Sequence, residues 1–305
     1  MTTLSAPAPA QAGAAARRGR RRAGLRRGLI FWAFLAPLLI LNVLVVLGPS
    51  VATVYYSFTD WSGIGPATFI GLDNYTRAAA DPAVRAALVH NAIWFVLFLS
   101  VPMALGLLGA YLLGQIRRGA LLFRALYFIP YITASVVNAA IWKMLLSPNS
   151  GIGRYLGTDH AWLGDTRTSL YSVNAVVDWH WWGFLAVIFF AAMQGVDPQL
   201  YDAAKVDGAG RWQQFTAVTL PGIRPTVVFV TLMTVIWSLK AFDYIYIMTH
   251  GGPAFSSDVV ATRMYDEAFS NYSAGYAAAL GLSMTAVTAV VLGAYQFLRR
   301  KGWEE

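Results

Sequence analysis

The chain has 305 residues, 57% hydrophobic and 12% charged, with no cysteine and a net charge of +8. A soluble domain is roughly 45–50% apolar and about 25% charged, so this charge is too little to coat a soluble globule. Disorder is excluded for the same reason, and a disulfide-stapled secreted module by the missing cysteines, which leaves an integral membrane protein.

Residues 1–27 are rich in Ala, Pro, Gly and Arg and are expected to form a disordered, basic arm that touches anionic lipid. Nucleic-acid binding would need aromatic interleaving and a folded module, and neither is present. The apolar run after Arg27 is too long for a signal-peptide core, and Pro49, Tyr55 and Tyr56 read as a helix end at an interface. A transmembrane domain is expected over 28–301, followed by a short tail at 302–305.

A hydrocarbon core needs roughly 20 apolar residues in a helix. Six stretches qualify, near 29–52, 87–113, 121–146, 170–194, 225–249 and 274–298, the first, third and sixth being the clearest. The fourth carries Asp178 and His180, and the fifth carries Lys240 and Asp243. Runs of this length read as helices, because lipid leaves no backbone group unpaired, and the strict alternation of barrel strands is missing. The fold class is therefore all-α.

The charges orient the bundle. With a cytoplasmic N-terminus, sixteen of the 23 Lys and Arg fall on that side. They are Arg17, Arg18, Arg20, Arg21, Arg22, Arg26 and Arg27, then Arg117, Arg118 and Arg124, then Lys205, Arg211 and Arg224, and finally Arg299, Arg300 and Lys301. Asp60, Asp73, Asp81, Asp159, Asp165, Asp258, Asp266 and Glu267 fall on the other side. Both termini are then cytoplasmic.

The loop at 195–224 is the most informative segment. Asp197 can cap a helix whose first residue is Pro198, where the missing N–H costs nothing. Leu200, Ala203, Ala204 and Val206 give that helix an apolar side, and Gly208, with Gly210, ends it. A second short helix is expected from Arg211 to about Thr219, with Pro221 and Pro225 stopping it and starting the next span. This compact helix–turn–helix reads either as a self-packed hairpin or as a docking element, since small residues at Ala203, Ala204 and Gly208 permit close approach.

The spacing resembles the signature loop of binding-protein-dependent ABC importer permeases: Glu-Ala-Ala, three residues, Gly, nine residues, Ile-x-Leu-Pro. The chain has Asp202-Ala203-Ala204, three residues, Gly208, nine residues, then Val218-Thr219-Leu220-Pro221. FIGLDNY at 69–75, FRALYFIPYITASVVNAAIWKMLLSPNSGIGRYL at 123–156 and FDYIYIMTHGGP at 242–253 resemble the carbohydrate-uptake branch, with its maltose and glycerol-phosphate permeases. The resemblance implies a type I importer permease fold for a sugar, an oligosaccharide or disaccharide, in a bacterial cytoplasmic membrane. Its implied partners are a second homologous permease, two ATPase subunits carrying ATP and Mg, and an extracellular solute-binding protein received by the loops at 56–85 and 147–170. It also implies that Asp202, Ala203, Ala204, Gly208, Leu220 and Pro221 form the ATPase-coupling contact. Asp202 is one methylene shorter than the family's Glu.

No residue set for catalysis is present, and the chain is expected not to be an enzyme. A phosphate-binding loop needs Gly-Lys before Ser or Thr, and none of Lys143, Lys205, Lys240 and Lys301 follows a glycine. The four histidines, His90, His160, His180 and His250, lack zinc-ligand spacing, so no metal or cofactor is expected on this chain. His90 and Asn91 read as headgroup-level residues.

Polar groups at membrane depth usually face a cavity or a partner. Asp178, Trp181, Phe184, Trp237, Ser238, Lys240, Ala241 and Asp243 are the candidate substrate path, with Trp179 and Trp182 read alternatively as interfacial belt residues. In maltose-type permeases the sugar-contacting positions align near Trp181, Phe184, Trp237, Ser238 and Ala241. Lys240 and Asp243, three apart, could instead pair on one helix face. Two other readings stay open: a glycerol-phosphate or other polyol permease, and an ion-gradient-driven secondary transporter using Lys240, Asp243 and Asp178.

Overall fold

The computed structural model describes residues 31–116, 118–155, 157 and 160–300. The basic arm at 1–27, Arg117, Asp159, Lys301 and the tail at 302–305 lie outside them. The chain divides into two units, 1–55 and 56–305. Among its described residues the first is one apolar helix, α1 (Phe31–Tyr56), none of whose residues is buried. Its turns widen to π geometry over Val43–Leu47. Pro49 explains this, because its ring would press on the carbonyl four residues earlier in a regular helix.

The second unit opens with a two-residue antiparallel ladder, β1 (Thr59–Asp60) against β2 (Thr68–Phe69), with Thr59 opposite Phe69. α2 (Asp73–Ala80) follows, and Asn74 within it donates to the Ser57 and Thr59 carbonyls, both at 2.9 Å. α3 (Pro82–Gln115) is 34 residues long, starting on Pro82 with Asp81 accepting from the Ala83 N–H. α4 (Ala120–Ile132), α5 (Ser135–Leu145) and the single turn α6 (Ile152–Tyr155) lead to α7 (Ser169–Met193). The signature loop forms α8 (Pro198–Val206) and α9 (Arg211–Gly222). α10 (Arg224–Ser238), α11 (Asp243–Met248), α12 (Val260–Phe269) and α13 (Ala274–Arg300) complete it.

α1, α3, α7 and α13 are each long and apolar enough to cross a membrane, and two bent pairs raise the number to six among the described residues. The run at 121–146 is not one helix: α4 and α5 meet at 93° across Thr133 and Ala134. Pro130 has no N–H to continue the α4 ladder, and the backbone turns three residues later. The run at 225–249 also breaks, between Ser238 and Asp243. α9 joins α10 at 71°.

The bundle core rests on close backbone approach. A Cβ on Gly106 would lie 2.8 Å from the Leu185 Cβ, and one on Gly109 would lie 3.0 Å from the Ala186 Cβ, so α3 lies directly against α7. A Cβ on Gly183 would overlap the Tyr127 carbonyl, which brings α4 onto the same helix. Small residues at such contacts are how helices associate where no hydrophobic drive separates them from lipid.

At the end away from the signature loop, polar pairs tie the segments together. Arg263 meets Asp258 at 2.8 Å, and Thr262 donates to the other Asp258 oxygen at 2.5 Å. Burial pushes the Asp258 carboxyl up from its ordinary value, against the opposing pull of Thr262 and Arg263. His90 Nδ1 lies 2.8 Å from the Asp258 carbonyl, and Asn91, buried, accepts from the Val260 N–H. These two residues therefore join α3 to the α12 entry. Arg77 lies over the Tyr276 ring at 3.9 Å and 3.7 Å from Glu267.

Candidate functional site

Two places in the second unit combine unusual geometry with chemistry. The first is a cavity of about 570 Å³. Sites for small ligands typically enclose roughly 300–1,000 Å³. Both helix breaks open onto this cavity: Thr133, Ala134 and Ser135 line it from the first, and Lys240, Ala241, Phe242 and Asp243 from the second. Irregular backbone at membrane depth is tolerated where it lines a wet cavity or is covered by protein.

α7 contributes Val177, His180 and Trp181 to the lining. Trp181 meets Trp237 of α10 edge-on, with ring centroids 4.0 Å apart at 80°, and meets Tyr131 at 5.3 Å. Phe184 does not reach the cavity surface but stacks on Tyr131 at 4.1 Å and 9°, which fixes that ring against the opening. Buried Asn138 Nδ2 lies 2.7 Å from His180 Nδ1, within hydrogen-bond reach. Asn138 Nδ2 also lies 3.3 Å from the Tyr244 hydroxyl.

The structure separates the candidate substrate-path residues. Trp181, Trp237, Lys240, Ala241 and Asp243 line the cavity. Ser238 is fully buried and donates to the Val235 carbonyl, so its hydroxyl is turned away. Asp178 is 5% exposed, does not line the cavity, and has one carboxylate oxygen without a hydrogen-bond partner. Lys240 and Asp243 do not pair, because the break between α10 and α11 removes the helical register that would place them together. Asp243 instead accepts from Ser135 Oγ at 3.0 Å, tying one break to the other. Of the flanking tryptophans, Trp179 packs edge-on against Trp142, and Trp182 meets Tyr127 at a tilt of 55°. Sequence reasoning missed Tyr131, Ser135 and Asn138. Only the neighbouring Pro130 marked the first two as lying near a break.

The second place is the signature loop. Asp197 caps α8 by accepting from the Gln199 N–H at 2.9 Å, and Pro198 is the first helical residue. Gly208 has φ +80° and ends α8. Gly210 is not a terminator; it precedes α9, where its N–H donates to Gln213 Oε1 at 2.7 Å. α9 does not stop at Thr219 but continues through Pro221 to Gly222, with π geometry at Phe215–Thr219 accommodating the proline as in α1. Tyr201 and Thr219 hydroxyls meet at 2.9 Å and close the hairpin.

Within the loop, Asp202, Ala203, Gly208 and Pro221 are exposed, while Ala204 and Leu220 are half-buried. Asp202 pairs with Lys205 at 2.8 Å. Two apolar side chains stand out on the same hairpin, Val206 at 88% and Trp212 at 73% exposure. Trp212 is a residue that motif spacing alone did not single out. Its large ring in a polar loop was the available signal. No group of three or more His, Cys, Asp or Glu side chains suited to a metal occurs among the described residues.

Comparison with known proteins gives the context for both places. Residues 104–302 match the family model described as binding-protein-dependent transport system inner membrane component. The chain is 36% identical to the diacetylchitobiose uptake system permease protein NgcF of Streptomyces coelicolor, over 97% of its own length and 89% of that protein. It is 29% identical to the probable starch degradation products transport system permease protein AmyD of Thermoanaerobacterium thermosulfurigenes, over 90% of its own length and 96% of that protein. Among solved structures, a chain of a bacterial ABC transporter that imports the acidic polysaccharide alginate superposes with a TM-score of 0.82 at 22% identity. That match covers 93% of this chain and 99% of the other, and it supports the fold.

Proposed function

Because the chain belongs to the family of binding-protein-dependent transport system inner membrane components, we propose that it is the transmembrane permease subunit of an ATP-driven importer for an oligosaccharide or disaccharide. The observation that carries this reading is the convergence of two broken spans on one aromatic cavity. Indole and phenol faces at Trp181, Trp237 and Tyr131 suit the apolar faces of a pyranose, while Ser135, Lys240 and Asp243 offer hydroxyl partners. The sugar class is supported by the substrates named for the relatives.

Transport follows from the layout. No lysine in the sequence follows a glycine as a phosphate-binding loop requires, which supports separate ATPase subunits as the energy source. The capped hairpin α8–α9, with Asp202, Ala203, Ala204, Gly208, Leu220 and Pro221, is the element that seats in an ATPase subunit. Rigid capping lets a movement of that subunit pass through the bend at Ile223 into α10, and so to Trp237 and the break that lines the cavity. The assembly comprises a second homologous permease, two ATPase subunits holding ATP and Mg, and an extracellular solute-binding protein. The excess of Lys and Arg in the loop and near both ends of the sequence supports a cytoplasmic side for them.

Deletion of the gene tests the substrate class. Uptake of one member of a panel of chitobiose-type, starch-derived and β-galactoside sugars should fall to background and return with the wild-type gene. Undiminished uptake of every sugar, with loss of a polyol phosphate or another solute, would overturn the assignment.

A further inference from the structure

A second cavity, of about 630 Å³, lies between the signature hairpin and the adjoining ends of α3, α4 and α7. Its lining includes three cations, Arg124, Lys205 and Arg211, and no carboxylate. Lys205 is engaged by Asp202, but Arg124 and Arg211 have no acidic partner among the described residues. The Arg124 guanidinium is held over the Phe190 ring at 4.2 Å, and its Nε is buried without a hydrogen-bond partner. Unpaired positive groups gathered around a part-polar cavity repel one another and leave donors unsatisfied, which an entering anion would relieve.

We propose that this cavity is a binding site for a phosphate-bearing anion. Guanidinium groups present a planar fork of donors that matches phosphate oxygens, and here the two forks come from different elements, α4 and α9. The volume exceeds what a bare inorganic phosphate fills, so the fitting ligand is a phosphorylated organic group, either a soluble phosphate ester or a phospholipid headgroup. A ligand bridging Arg124 to Arg211 would tie the hairpin to the span ends. On the reading of the hairpin as the ATPase-coupling element, occupancy is a control on coupling, but the site itself does not depend on that reading.

The test uses the purified full chain in nanodiscs, without ATPase subunits, so that binding is separate from coupling. In phosphatidylcholine discs, pyrophosphate is titrated by calorimetry; in discs containing phosphatidylglycerol, retained lipid is counted by native mass spectrometry. One saturable anion per chain is expected in at least one arm, weakened tenfold or more by Arg124→Gln with Arg211→Gln, and unchanged by Arg154→Gln. Binding in the first arm identifies a soluble ester, and retention in the second alone identifies a headgroup. Arg211→Gln by itself, on an exposed side chain, carries the test if the double variant does not insert. Absence of binding in both arms, or an equal effect of Arg154→Gln, would overturn the site.

Discussion

The Ser135 hydroxyl donates to the Asp243 carboxylate across 3.0 Å, joining two helix breaks that lie 108 residues apart in the chain. Both residues line the aromatic cavity. Asp243→Ala removes both the tie and a polar partner for substrate. The expected result is insertion at wild-type level with the apparent affinity for the transported sugar reduced about tenfold, equivalent to roughly 1.4 kcal/mol. Concentration-dependent uptake measures it, and an unchanged half-saturation value would place Asp243 outside the substrate path.

Gly208 sits at φ +80°, and a Cβ built there meets nothing within 4 Å in this chain. Aspartate is among the residues best able to adopt a left-handed conformation, so Gly208→Asp should keep the hairpin while adding a charged side chain to its outer face. Normal membrane insertion with ATP-driven uptake reduced at least tenfold is expected. Full uptake in this variant would remove Gly208 from the coupling contact.

Gly183 and Gly114 form an internal pair of opposites. A Cβ on Gly183 collides with the Tyr127 backbone, whereas one on Gly114 meets nothing. Gly183→Ala should separate α4 from α7 and cost about 2 kcal/mol or more, read as reduced folded yield in the membrane. Gly114→Ala should be neutral or gain up to about 1 kcal/mol from helix propensity. Thermal unfolding of the two variants side by side distinguishes a packing constraint from a general intolerance of glycine replacement.

Asp258 and Arg263 meet at 2.8 Å with both side chains largely buried. Asp258→Asn leaves the Arg263 charge without its counter-ion, which typically costs about 3–5 kcal/mol. The expected outcome is proteolytic sensitivity of the segment around 251–263. Protection equal to wild type would show the pair to be dispensable there.

Much of this architecture was legible in the sequence, for reasons that differ by element. Asp197, Pro198 and Gly208 act through local backbone chemistry, so spacing alone located the hairpin and its caps. The long spans α1, α3, α7 and α13 were legible because hydropathy reports length. The breaks were not. Hydropathy is blind to direction, and the second break, at Leu239–Phe242, contains neither Pro nor Gly. Reading that segment as helix made Lys240 and Asp243 look like neighbours on one face. Lys240 instead lies in the non-helical turn, while Asp243 opens α11. Ser238 and Asp178 were drawn into the substrate path by polarity at depth, but whether a polar side chain meets a cavity depends on tertiary packing. Asn138 and Tyr244 become partners of His180 and of each other only once α5, α7 and α11 have assembled.

The most direct measurement is sugar uptake into proteoliposomes containing the complete transporter, energised either by enclosed ATP or by an imposed proton or sodium gradient. Accumulation should require ATP, the solute-binding protein and an intact hairpin, and should be indifferent to the ion gradient. Accumulation driven by an ion gradient without ATP or binding protein would contradict ATP-driven import and turn Lys240 and Asp243 into candidates for an ion relay.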